Sequence, residues 1–120
     1  MARKVGVMEN AIFKSSTRSA GDIAGVFEYD GEVGFFYLYD LSREKGRQIT
    51  GSLYVNSENP DFHGANVSIK WTNSQEFVGL YIQGCLWAAL DLKGHKYGGH
   101  FEFGKMPEIP NEILAKFQSL

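Results

Sequence analysis

Cysteine, positive charge and long apolar runs are all scarce in this chain, and each scarcity closes off a class of answers. Cys85 is the only cysteine, so no disulfide can form within the chain and a thiolate zinc site lacks its ligands. A reducing compartment is the expectation. Lys and Arg total 12 against 14 Asp and Glu, a net charge of -2. That balance supplies no basic excess to neutralise phosphates, so nucleic acid is not expected as a partner. No segment approaches transmembrane length. The first ten residues hold a basic pair but no apolar h-region and no cleavage site. A cytoplasmic location and no membrane partner are therefore expected.

What remains is ordinary in bulk and distinctive in pattern. The 120 residues, 43% hydrophobic and 22% charged, suit one domain spanning 1–120, large enough to bury a core without staples. Fourteen glycines are spread along the chain and long helix-period patterns are missing. That is the profile of short strands joined by tight turns.

The clearest pattern is residues 27–40, where Asp30-Gly31 separates two aromatic and β-branched runs. Asp-Gly suits a two-residue type I′ turn, because both central positions need positive φ. The second run is apolar at successive positions, which predicts a central strand covered on both sides. Further strands are expected at 23–29, 32–39, 48–55, 67–71, 76–82, 85–92 and 97–103, with edge strands within 5–14 and a loop over 15–22. In 48–55, Ile49, Gly51, Leu53 and Val55 share one face. Residues 41–47 read as a charged connection, at most one helical turn ended by Gly46. Tight turns are expected at 72–75, at Gln83-Gly84 and at 93–96. Asn111 can cap a short terminal helix whose stripe is Ile113, Leu114, Phe117 and Leu120. The fold class is mainly β, with α+β as the alternative: a strongly bent antiparallel meander of seven or eight strands, barrel- or sandwich-like, with a short C-terminal helix.

No residue cluster identifies a reaction, so no catalytic residue is assigned and no enzyme activity is expected. His63, His95 and His100 match no metal-ligand spacing, so neither a metal nor a cofactor is expected. Cys85 opens an apolar strand, where a buried small hydrophobe is its simplest role. Glu28, Asp30 and Glu32 form a compact acidic tip around the turn, which turn chemistry alone explains for Asp30 but which also suits a basic partner. Aromatics make up 14% of the chain. Those on wetter faces, Tyr29, Tyr54, Tyr81 and Tyr97 among them, can serve as recognition anchors.

The run Asp30-Gly31-Glu32-Val33-Gly34-Phe35-Phe36-Tyr37, followed by residues 52–56, by 67–71 ending in Trp71, and by 80–84 turning at Gly84, resembles a family of small bacterial domains of unknown function. Proteins of this kind look like the small antidotes encoded beside bacterial toxins. The resemblance implies an immunity protein that binds and occludes a cognate protein toxin, and it supplies no catalytic residues. On that reading the contact residues are Glu28, Tyr29, Asp30, Glu32 and Tyr54, together with Asp61, Phe62 and His63 in the polar loop 56–64. Two alternatives stand beside it: a small-molecule-binding or enzymatic β-barrel with polar groups converging in its mouth, and a structural domain that assembles as a homodimer.

Overall fold

The computed structural model describes residues 11–31, 33–56, 66–99 and 108–118. Short alternating segments become strands: β1 (Ile12–Thr17), β2 (Ile23–Tyr29), β3 (Val33–Asp40), β4 (Ile49–Asn56), β5 (Val67–Trp71), β6 (Phe77–Ile82), β7 (Cys85–Asp91) and β8 (Lys96–Gly98). One helix follows, α1 (Asn111–Phe117). Each sheet is a four-stranded antiparallel meander in chain order, β1-β2-β3-β4 and β5-β6-β7-β8. The sheets stack face to face, so the expected bent β fold is realised as a sandwich and not as a closed barrel. Phe27, Phe36, Leu38, Leu53 and Val55 of the first sheet meet Val78, Leu80, Trp87 and Leu90 of the second in one buried cluster.

Turn chemistry sets the registers, and it differs from expectation at the first hairpin. Asp30 N–H donates to Val33 O (3.1 Å), and Val33 N–H donates to the Asp30 carboxylate (2.9 Å). Asp30 is therefore the flanking residue, and Gly31, at φ 104°, takes the first central position. A flanking carboxylate that accepts a backbone N–H satisfies the turn from outside, which favours the shift by one residue. The type I′ pattern appears instead at Gln83-Gly84, with φ values of 54° and 79° between paired Ile82 and Cys85.

Several other boundaries move. β1 runs through Ser15, Ser16 and Thr17, which read as loop, because each pairs with β2. Residues 41–47 form two turns and no helical turn, with Arg43 N–H bonded to Asp40 O and Arg47 N–H to Glu44 O. A bulge in the β3–β4 pairing sets Ile49 opposite Tyr39 and takes it off the face of Leu53 and Val55, leaving it 57% exposed. Pro110 holds the helix cap position and no side-chain cap forms, so Asn111 is the first helical residue and not the cap. Proline suits that place because it has no N–H to satisfy.

Seven helical residues are too few to be stable alone, so α1 is held by what it covers. Ile113 and Phe117 are buried on the outer face of the second sheet with Ile109 and Ala89, against Phe77, Tyr81, Leu86 and Tyr97. Phe117 meets Tyr81 edge-on (6.2 Å), and Lys116 Nζ sits 5.1 Å from the Phe77 ring centre. Gly79 makes the seat. A Cβ there would lie 2.6 Å from Leu86 Cδ1 and 2.8 Å from Phe117 Cε1. Gly79→Ala should therefore lift the helix and cost about 1–3 kcal/mol. A lower urea midpoint and faster tryptic cleavage after Lys116 are the expected readouts; an unchanged midpoint would mean that the helix tolerates the methyl.

A polar clasp joins the sheets at one end. Arg18 donates through Nε and Nη2 to the two Asp22 oxygens (2.7 and 2.8 Å) and through Nη1 to Gln75 O (3.2 Å). Ser19 N–H donates to the Gln75 side-chain oxygen (2.7 Å). The hydrogen bonds from Arg18 hold the Asp22 carboxyl down at about 2. A carboxyl whose folded value is depressed stabilises the fold above its unfolded value and loses that contribution as pH falls through the folded one. The melting-temperature gap between the wild type and Asp22→Asn should be flat above roughly pH 5 and shrink toward pH 2. Because Asp22 is reachable by solvent, salt should also shrink the gap. A gap that persisted at pH 2 would assign the clasp to something other than this ion pair.

Candidate functional site

β3 lies inside the first sheet, as its apolar run predicts, but it is not covered on both sides. Gly34, Phe36 and Leu38 are buried in the sandwich, whereas Phe35 on the opposite face is 45% exposed. Strand pairing aligns a row across all four strands: Phe13 opposite Glu28, Glu28 opposite Phe35, and Phe35 opposite Tyr54. Phe13 is 64% and Tyr54 51% exposed. Phe35 and Tyr54 stack edge-on with centroids 5.5 Å apart, a favourable cross-strand pair. Among the described residues nothing covers this row. The comparable apolar face of the second sheet is covered by α1.

Glu28 is the one charged group in the row, and it is fixed. Tyr37, two residues along β3 from Phe35, donates its phenol to Glu28 Oε2 (2.5 Å). Burial, and then this bond to a carboxylate, push the Tyr37 phenol well above its ordinary range. It therefore remains a donor at every physiological pH. Phe13, Glu28, Phe35, Tyr29, Asp30 and Val33 line a cleft of about 470 Å³ at this end of the sheet.

The structure separates the residues expected to make contacts. Glu28 and Tyr54 stand in the exposed row. Asp30 is exposed at the turn beside it. Tyr29 is half-buried against the core and donates its hydroxyl to Gly31 O (2.9 Å). Glu32, Asp61, Phe62 and His63 lie outside the described residues. Tyr81 and Tyr97 belong to the helix seat and not to a free face. The sequence reading missed Phe13 and Phe35. Their signal was one outward aromatic in β1, Phe13, and the outward aromatics Phe35, Tyr37 and Tyr39 of β3, visible only once the register is known.

Rival chemistry finds little support in side-chain placement. Cys85 is exposed, not buried: it follows the Gln83-Gly84 turn at the end of the sheet, where no described residue covers it. It borders a groove of about 790 Å³ with Leu86, Glu108, Ile109, Asn111 and Leu114. His95 lies past the far end of β7, roughly 20 Å from Cys85 at strand rise, so the two cannot act as a nucleophile and base. His95 instead donates its N–H to Asp91 (3.0 Å), with its ring Nδ1 2.9 Å from the same carboxylate. Desolvation raises the Asp91 carboxyl, but bonds from His95 and Lys93 outweigh it and leave it below its ordinary value. That is turn chemistry: the carboxylate closes the β7–β8 connection. Among the described residues no group of three or more His, Cys, Asp and Glu could hold a metal ion, and no helix is long and apolar enough to cross a membrane.

The family described as uncharacterized protein conserved in bacteria (DUF2251) matches residues 5–113, and the chain belongs to it. No curated protein and no solved structure matches the chain.

Proposed function

We propose that this member of an uncharacterised bacterial family is a protein-binding module that holds its partner on the outer face of the first sheet. The observation that carries the reading is the contrast between the two sheets. One outer face is sealed by α1, while the other presents Phe13, Phe35 and Tyr54 to solvent. Exposed aromatics in a contiguous patch are costly unless a partner covers them, and such residues are common binding anchors. A rigid sheet places them at little entropic cost on binding.

The partner class follows from the resemblance of the hairpin and its neighbouring strands to antidotes encoded beside bacterial toxins. On this reading the chain is an immunity protein, and the face occludes the working surface of a cognate toxin. The test is expression of the reading frames neighbouring this one in its source genome, with and without the chain. The expected result is a neighbour that arrests growth and an arrest relieved by the chain. Absence of any toxic neighbour, or a toxic neighbour that the chain neither binds nor relieves, would overturn the immunity reading.

A further inference from the structure

We propose that the cleft between Phe13 and Phe35 is an anchor site for one basic side chain of the partner, an arginine or lysine whose charged end lies against Glu28. The inference rests on the first sheet's outer face being the docking surface. It adds which chemistry the partner must bring there.

The argument starts from the cost of covering Glu28. A carboxylate in the middle of an aromatic row loses its water when any partner closes over the row, and an ion buried without a counter-charge costs several kcal/mol. Tyr37 satisfies one oxygen, Oε2, and among the described residues no hydrogen bond reaches Oε1. A neutral apolar partner would leave that oxygen and the charge uncompensated. A basic side chain compensates both.

The walls fit the same group. Phe13 on β1 and Phe35 on β3 stand on either side of Glu28 on β2, two strand spacings apart, roughly 10 Å between backbones. That gap admits one extended side chain between two rings. Rings attract a cation at their faces and cover its aliphatic stem. Asp30 at the rim adds a second carboxylate to the cleft. Lys14, beside Phe13 in β1, pairs with Phe27 and so has the opposite strand parity, which keeps the Lys14 ammonium off this face.

The test needs no partner. The isolated chain is titrated with N-acetyl-arginine amide, N-acetyl-lysine amide and the neutral N-acetyl-citrulline amide, and followed by amide chemical shifts. Saturable shifts at Phe13, Glu28 and Phe35 are expected at millimolar concentration with at least one charged compound, and its margin over the other says which side chain is preferred. Citrulline should give none. Glu28→Gln should weaken binding about tenfold while leaving the spectrum folded, the weakening expected for about 1.4 kcal/mol. Absence of saturable shifts, equal response to citrulline, or unchanged affinity in Glu28→Gln would each overturn the anchor. If the titration fails while variants of the face still lose a partner, the docking surface stands without this anchor. If it succeeds while no toxin is found, the anchor stands and the immunity reading falls.

Discussion

Phe36→Ala should destabilise the protein by about 3–5 kcal/mol, whereas Phe35→Ala, one residue earlier, should cost at most about 1 kcal/mol. The two residues share a strand, a type and a size, and they differ in the face they use. Phe36 is fully buried between the sheets with Leu53 and Phe27. Deleting its ring loses transfer energy and leaves a cavity that strands on two sheets cannot easily close. Phe35 keeps much of its ring in water and stacks edge-on with Tyr54, so its removal forfeits that cross-strand pair and leaves no enclosed cavity. Urea unfolding with an unchanged m-value separates the two. Equal losses would mean that the outer face is covered in solution and that Phe35 is a core residue.

The second large effect concerns binding. Replacing Phe13, Phe35 and Tyr54 together by threonine should weaken partner capture at least about 100-fold, which corresponds to ~2.7 kcal/mol. Buried aromatic anchors commonly contribute about 2 kcal/mol or more each, with incomplete additivity. Threonine keeps strand propensity, so the fold should survive and the urea midpoint should move little. The readout is calorimetric affinity for the toxic neighbour product. Retained affinity would move the interface away from this face, toward the helix side.

The strand pattern was legible because the chemistry that makes it is local. Alternation placed β5 at its observed bounds, the apolar and aromatic run ahead of the Asp30-Gly31 signal placed β2 at its own, and the Gln83-Gly84 turn was visible from residue type alone. The exposed row was not legible, because it depends on register, and register depends on a turn. Centring the first turn on Asp30-Gly31 would set Glu28 opposite Val33. The Asp30 carboxylate moves the turn one residue onward and sets Glu28 opposite Phe35. The face stays the same, but the neighbour of the acid becomes aromatic. Coverage was also hidden. An apolar β3 implies burial on both faces only if something lies over each, and periodicity cannot tell a second sheet from a missing one. Ile49 shows the same limit, since a single bulge reversed its face. The apolar strand that Cys85 opens suggests burial, yet its place at the hairpin end leaves it exposed.

The most direct measurement is hydroxyl-radical footprinting of the chain alone and mixed with the toxic neighbour product. Free, the protein should be labelled at Phe13, Phe35 and Tyr54 and spared at Phe36. In the complex, labelling at those three residues should fall sharply, while Cys85 and Leu114 on the helix side stay unchanged. Undiminished labelling of Phe13, Phe35 and Tyr54, with protection confined to the groove beside Cys85, would contradict the account.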